Sequence, residues 1–298
     1  MRGGTAVTAF PDLKIYVNGS FVPADQPCIS AFDRGFLYGD TVFEGIREYG
    51  GKVFKLTEHI DRLFRSAKIM AMTIPLTKEE FAEAILGTLR INGLQDAHIR
   101  PLVSRGQGLA VGPEKDSSPT VVIIAHPWPS FLGGEGISLK TVSVRKIPAD
   151  SFDPRIKCTG TYVNGVMAKI EANAAGCDEA LLLDWQGYVA EGPGSNFLIV
   201  SEGALLSPRH QSILNGITRK TILELASRLG LQVRETDLTL SDVYTSDEAF
   251  MCGTGAEISP VSMVDGRLIG ASTPGPVTSN LMKAFREVVS VEGTPVYS

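Results

Sequence analysis

"EALLLDWQGYVAEGPGSNFLIV", residues 179–200, decides the fold. It contains three short apolar runs, residues 179–184, 188–192 and 195–200. Each is of strand length, and each is bounded by turn residues. Trp185, Gln186 and Gly187 supply the first turn, and Gly192 and Gly194 bracket the second. The runs read as short strands of one sheet.

Working outward, "KIYVNGSFVP" reads as a hairpin around Asn18-Gly19. "TVFEGIREYGGKVFKL" reads as another, closing on Gly50-Gly51. "TEHIDRLFRSAKIMA" places Ile60, Leu63, Phe64, Ala67 and Met70 on one helical stripe. "TKEEFAEAILGTLRING" opens with a capping box, Thr77 to Glu80, and ends in Asn-Gly. Strands follow at "HIRPLVSRG", "TVVIIAH" and "ISLKTVSVRKI", and a helix at "YVNGVMAKIEANAAG". Downstream of residue 200, "GITRKTILELASRLG" reads as a helix, "EAFMCGTGAEISPVSMVDGRLI" as three strands, and "PVTSNLMKAFREVVS" as a closing helix. Hairpins and helices mix without regular strand–helix–strand alternation, which predicts an α+β fold rather than a doubly wound parallel sheet.

With 298 residues, two domains are expected. "PWPSFLGGEG", residues 127–136, concentrates proline and glycine and reads as the linker between domains at 1–126 and 137–298. A net charge of -5 with no basic cluster gives no nucleic-acid surface. No apolar run reaches the roughly 18 residues of a membrane span. The opening "MRGGTAVTAFPDLKIY" carries no apolar signal core, so export is not expected. Cys28, Cys158, Cys177 and Cys252 form no CxxC, which fits free thiols in a reducing cytoplasm. The four histidines are scattered, so no metal site is read.

Chemistry concentrates in the second half. Lys157 and Lys169 stand twelve residues apart in "DPRIKCTGTYVNGVMAKIEANAAG". Val163, Val166, Met167 and Ile170 share one stripe of the helix, and at about 100° per residue Lys169 falls well off its centre. Lys169 therefore reads as solvated. Lys157 precedes the helix between Ile156 and Cys158. Small and apolar neighbours favour a neutral amine, the form that attacks carbonyls. Glu191 ends a run just before Gly192 and is placed to pair a protonated ring nitrogen. The helix start at "NGITR" offers amides and the Thr218 hydroxyl to a phosphate, and Thr254 sits between Gly253 and Gly255 in a loop able to cradle an anion. Each feature also has a plain reading: a structural lysine, a turn glutamate facing water, an ordinary helix end, a simple turn. Together they are the parts a pyridoxal 5'-phosphate site needs.

The chain resembles the class IV aminotransferases, the fold-type IV pyridoxal phosphate enzymes that include D-amino acid aminotransferase and aminodeoxychorismate lyase. Residues 179–200 follow that family's E-x-x-x-x-D-x-x-G-x-V-x-E-G-x-x-x-N pattern, and "HIDRLFRSA", "GITR" and "GTGAEISPV" recur in the family's order. The resemblance implies a small N-terminal α/β domain and a larger C-terminal domain with a β-barrel-like sheet. It makes Lys157 the Schiff-base lysine and catalytic residue, Glu191 the partner of the pyridine nitrogen, and Tyr162 the partner of the cofactor's phenolic oxygen. Arg62, Ile217, Thr218 and Thr254 would hold the phosphate, although helical periodicity alone turns Arg62 toward water.

Within the family, "YGDTVFEGIREY" and "IRPLV" are similar to the branched-chain amino acid aminotransferases. That likeness implies transamination of leucine, isoleucine and valine with 2-oxoglutarate, in a homo-oligomer of two or more subunits. Tyr38 and Phe43 would line the side-chain pocket, with Arg47 on its polar side. Arg100 would receive the distal carboxylate of glutamate or 2-oxoglutarate, and the amides at Gly255 and Ala256 the substrate α-carboxylate. His98 stands where tyrosine is usual, Arg105-Gly106 resembles the D-amino acid enzymes, and Pro193 and Gly255 are unusual in their loops. Transamination of D-amino acids or (R)-amines therefore stays open, and an aminodeoxychorismate lyase fits "VFEGIR" and "IRP" poorly. A cofactor-free binding protein with this fold is disfavoured by the presence of both Lys157 and Glu191.

Overall fold

The computed structural model describes residues 12–26, 29–113, 117–128, 136–209 and 211–297. The chain divides into two compact units: Met1–Pro129 with Cys158–Gly160 and Glu292–Ser298, and Ser130–Lys157 with Thr161–Val291. Most of the expected linker, residues 129–135, and the expected free thiol Cys28 lie outside the described residues.

In the first unit, β1 (Lys14–Val17) and β2 (Ser20–Pro23) form the expected hairpin. Its turn needs two residues with positive φ, and Asn18 (46°) and Gly19 (93°) provide them. A short helix, α1 (Arg34–Tyr38), is capped by Asp33, whose carboxylate accepts from the Gly35 N–H at 2.8 Å. Three short strands follow: β3 (Thr41–Phe43), β4 (Ile46–Tyr49) and β5 (Lys52–Val53). Two helices, α2 (Leu56–Ile69) and α3 (Lys78–Asn92), then precede β6 (Ala97–Ser104) and β7 (Thr120–Pro127). The capping box at the start of α3 is complete: Glu80 N–H donates to Thr77 at 3.1 Å and Thr77 N–H to Glu80 at 2.8 Å. The sheet is antiparallel in the order Thr294–Pro295, β5, β4, β6, β7, β1, β2, with β3 also on β6. Because its last strand is Thr294–Pro295, the chain's end belongs to the first unit rather than to the second as expected. Phe81, Ile85 and Leu89 of α3 are fully buried, as are Ile99 and Ile123 of the sheet that α3 packs against.

The second unit runs β8 (Ile137–Arg145), α4 (Thr159–Ala174, its start shared with the first unit), β9 (Glu179–Leu183), β10 (Asn196–Ser201) and β11 (Ala204–Pro208). It continues with α5 (Ile217–Arg228), β12 (Gln232–Thr236), α6 (Leu240–Tyr244), β13 (Glu248–Gly253), β14 (Glu257–Val264), β15 (Arg267–Leu268) and α7 (Pro276–Val291). The sheet order is β12, β11, β10, β13, β14, β8, β9, with β15 on β14. The pairs β8–β9, β8–β14 and β11–β12 are parallel, the rest antiparallel. Two mixed α and β units, each with an eight-stranded sheet, are the expected α+β organisation.

The strand β9 is buried on both faces. Leu181 and Leu183 join the main core with Leu139, Phe197 and Met251, while Ala180 and Leu182 pack with Ala168 and Ala172 of α4. Small residues thus seat α4. A Cβ at Gly165 would stand 3.0 Å from the Pro193 carbonyl, so that glycine admits the Pro193 loop. The expected apolar stripe points the other way: Val163, Val166, Met167 and Ile170 are 64%, 56%, 52% and 55% exposed. The expected strand at residues 188–192 is reduced to isolated bridges, Leu183 with Val189 and Glu191 with Asn196. Lys169 is less solvated than expected, donating to the Asp178 carbonyl and lying 3.5 Å from Glu179.

Candidate active site

In the second unit, Lys157 ends the loop before α4 and Tyr162 lies in the helix's first turns, so five residues bring the two side chains together. Lys157 Nζ donates to the Tyr162 hydroxyl at 2.5 Å, and Lys157 is 9% exposed. The phenol orients a sheltered amine.

Glu191 is 5% exposed, and its carboxylate is ringed by donors. Asn196 Nδ2 donates to Oε2 at 2.8 Å, Leu214 N–H to both oxygens at 3.2 Å, and Lys146 Nζ lies 2.7 Å from Oε1. A buried carboxylate stays charged only when such bonds replace water. Asn196 Nδ2 also donates to the Leu214 carbonyl at 3.0 Å and so ties Glu191 to the loop that starts α5. Gly216 caps that helix without a side-chain hydrogen bond, and a Cβ there would collide with Asn196 Oδ1. The first amides of α5, at Ile217 and Thr218, therefore have no side-chain cap, and Thr218 is buried. Thr254 and Gly255 occupy the turn between β13 and β14, and Ala256 is anchored through its carbonyl by the Ser259 hydroxyl at 2.9 Å. Neighbouring Cys252 is fully buried. Burial pushes its thiol up to about 12; Arg219 pulls against this and the Glu191 charge adds to it, so the thiol stays neutral.

In the first unit, Arg62 is buried rather than turned to water. Its Nε donates to Glu44 Oε1 at 2.6 Å and its Nη2 to Oε2 at 2.7 Å, two of the five guanidinium N–H donors. His59 Nδ1 lies 2.8 Å from Oε2 of the same carboxylate. Burial works against the Glu44 charge, but Arg62, then His59, outweigh it and hold the carboxyl near 2.

Strand register brings four expected substrate residues to one sheet face. Arg47 pairs with His98 and Phe43 with Leu102, while His98, Arg100 and Leu102 alternate on the same side of β6. The Arg100 guanidinium stands 5.6 Å from the centre of the buried Phe43 ring, and Arg100 itself is exposed. His98 is buried against Trp128 and His126, with ring centres 5.0 and 5.5 Å away. Tyr38, on α1, is 43% exposed and donates to the Leu109 carbonyl. Arg105 is occupied internally: it bonds Asp40 at 2.7 and 3.2 Å, the Ala71 carbonyl at 3.0 Å and the Met70 carbonyl at 2.7 Å. Glu44, His59 and Lys146 belong to these clusters but left no signal in the sequence, since their partners are distant along the chain; for Glu44 the separation from His59 is 15 and from Arg62 is 18.

The donor set of the second unit (a sheltered amine beside a phenol, a buried carboxylate, an uncapped helix start that excludes a Cβ) fits pyridoxal 5'-phosphate. Comparison with known proteins agrees. The family model described as "Amino-transferase class IV" matches residues 41–264. A relative from Methanocaldococcus jannaschii, named a putative branched-chain-amino-acid aminotransferase, is 50% identical over 287 residues, spanning 96% of this chain and 99% of its own. The branched-chain-amino-acid aminotransferase of Pseudomonas aeruginosa is 44% identical over 93% of this chain and 92% of its own. The crystal structure of the branched-chain amino acid aminotransferase from Thermobaculum terrenum, in its pyridoxal phosphate form, superposes with a TM-score of 0.89. It is 32% identical and covers 96% of this chain and 98% of its own. The chain belongs to the class IV aminotransferases, and pyridoxal phosphate is its cofactor.

Proposed function

We propose that the protein transfers the amino group of leucine, isoleucine or valine to 2-oxoglutarate by ping-pong kinetics. The observation that carries the substrate reading is the single sheet face bearing Phe43, Arg47, His98 and Arg100. One site must accept an aliphatic side chain in one half-reaction and a carboxylate in the other. A buried ring with an exposed guanidinium 5.6 Å away offers both surfaces. The names of its relatives support the same reading.

Bound pyridoxal phosphate supplies an aldehyde that condenses with amines and a ring that draws off the electrons left when a Cα proton departs. Lys157 Nζ is the group that bonds to it, oriented by the Tyr162 hydroxyl. Freed from that bond by the substrate amine, the same Nζ would take the Cα proton and deliver it to the carbon that had been the cofactor's aldehyde, acting as base and then acid. Glu191, fixed by Asn196 and Leu214, holds a proton on the ring nitrogen. Ile217, Thr218, Thr254 and Arg62 are assigned to the phosphate, and the Gly255 and Ala256 amides to the substrate α-carboxylate. Tyr38 and Phe43 shape the side-chain pocket, Arg47 its polar side, and Arg100 takes the distal carboxylate.

The reading extends to assembly and location. No helix among the described residues is long and apolar enough to cross a membrane. A homo-oligomer of two or more subunits in a reducing cytoplasm accounts for the exposed apolar row on α4 and for the reduced thiols Cys158, Cys177 and Cys252. The substrate test is a panel of L-leucine, D-alanine and an (R)-arylamine, each read as conversion of bound cofactor in one half-reaction. L-leucine is expected to convert it fastest. Faster conversion by D-alanine or the arylamine would move the assignment to that substrate class, and pyruvate release from aminodeoxychorismate without an amino acceptor would move it to the lyase.

A further inference from the structure

Among the described residues that contact Glu191, Lys146 is the one whose presence the proposed mechanism does not require. It follows directly on β8, its N–H donates to the Leu183 carbonyl at 2.9 Å, and its Nζ reaches Glu191 Oε1 at 2.7 Å. The Lys146 side chain is 21% exposed and that of Glu191 6%. A carboxylate offers about four lone-pair positions. Lys146 takes one position on Oε1, Asn196 one on Oε2, and the single Leu214 N–H is shared between the two oxygens, so three donors are present and one further donor can be accepted.

Resting on the assignment of Glu191 to the ring nitrogen, we infer that Lys146 is a positioning residue that stands in for the cofactor's ring cation. It neutralises Glu191 before pyridoxal phosphate arrives and weakens Glu191's hold on the ring proton afterwards. The physical reason is charge balance. A buried carboxylate with no cation nearby is costly, and that cost is relieved by whichever cation reaches it. With Lys146 present the cofactor-free protein is already neutral at this point, so a protonated ring gains less. The other charged or titratable groups facing Glu191 do not change this balance. Cys252 remains a neutral thiol, and Arg219 is engaged by Ser207 at 2.8 Å and Glu235 at 3.3 Å.

The test uses the apoprotein, titrated with pyridoxal 5'-phosphate and with its analogue carrying C–H in place of the ring nitrogen. The readout is the ratio of the two dissociation constants. Lys146→Met is expected to raise the preference for the natural cofactor about tenfold, the low end of what one adjacent charge does to a titrating group, because Lys146 is partly exposed. Lys146→Arg is expected to leave the ratio unchanged. The thermal midpoint of Lys146→Met should fall more in the apoprotein than in the holoprotein, and Glu191→Gln combined with it should restore the apo midpoint. An unchanged or lowered ratio in Lys146→Met, while Glu191→Gln alone abolishes the preference, overturns the role of Lys146. If Glu191→Gln leaves the preference intact, the ring-nitrogen assignment itself fails, and this inference with it.

Discussion

Replacing Glu44 with glutamine removes one negative charge from a place where no water can compensate. Glu44 is fully buried between Arg62 and His59, and its folded carboxyl titrates near 2 against an ordinary 4.5. At 1.36 kcal/mol per pH unit, the charged form is favoured by about 3 kcal/mol in the fold. Breaking a buried ion pair from one side costs roughly 3–5 kcal/mol by a separate route, because Arg62 is left with an uncompensated charge. Glu44→Gln also aims an amide donor at one of two donors, the Arg62 guanidinium or the His59 ring. At neutral pH the variant is therefore expected to be about 3 kcal/mol less stable in the first unit. Because the folded carboxyl titrates lower than the unfolded one, the wild-type advantage is complete above 4.5 and is lost as pH falls toward 2. The gap between wild type and variant should narrow by about 1.4 kcal/mol for each unit below 4.5. Urea unfolding followed by Trp128 fluorescence reports on the first unit alone once Trp185, the only other tryptophan, is changed to phenylalanine. A gap below about 1 kcal/mol at neutral pH, or one that stays constant down to about pH 3, would refute the reasoning.

Three further outcomes are expected. Gly216→Ala should collide with Asn196, break its tie between Glu191 and the α5 loop and speed pyridoxal phosphate release at least roughly tenfold, measured by dilution of the holoprotein into an aldehyde trap. Arg100→Leu should spare the leucine half-reaction but slow the return half-reaction with 2-oxoglutarate by about a hundredfold, the weight of one charge-assisted pair, seen in single-turnover absorbance. Val166→Asp with Met167→Lys should reduce the assembly's mass in sedimentation while leaving the second unit's stability within about 0.5 kcal/mol, since both side chains are exposed within the chain.

Features of the fold governed by neighbouring residues were legible in the sequence. The Asn18-Gly19 turn and the Thr77–Glu80 capping box depend on contacts between close neighbours, and both appear as read. The α4 stripe was legible as a stripe but not as an outer face. Periodicity locates apolar side chains without saying what covers them, and here Gly165, Ala168 and Ala172 make the close approach instead. Helical periodicity alone pointed Arg62 toward water, against the role the resemblance implies, for a related reason: its burial depends on Glu44, which lies 18 residues earlier on another element. The strand read at 188–192 failed because Glu191 turns to bridge Asn196, which serves the site rather than the ladder. Tyr162 was reached through the family resemblance, and its five-residue distance from Lys157 accounts for the contact between them; of the partners that hold Glu191, Asn196 is near in sequence but Leu214 and Lys146 are distant and left no signal.

The most direct measurement is borohydride reduction of the purified holoprotein, followed by peptide mapping. The ε-amine beside Tyr162 is predicted to carry the pyridoxyl label stoichiometrically, on the peptide containing Lys157. Label on Lys146, Lys169 or any other lysine, or no label at all, would contradict the account.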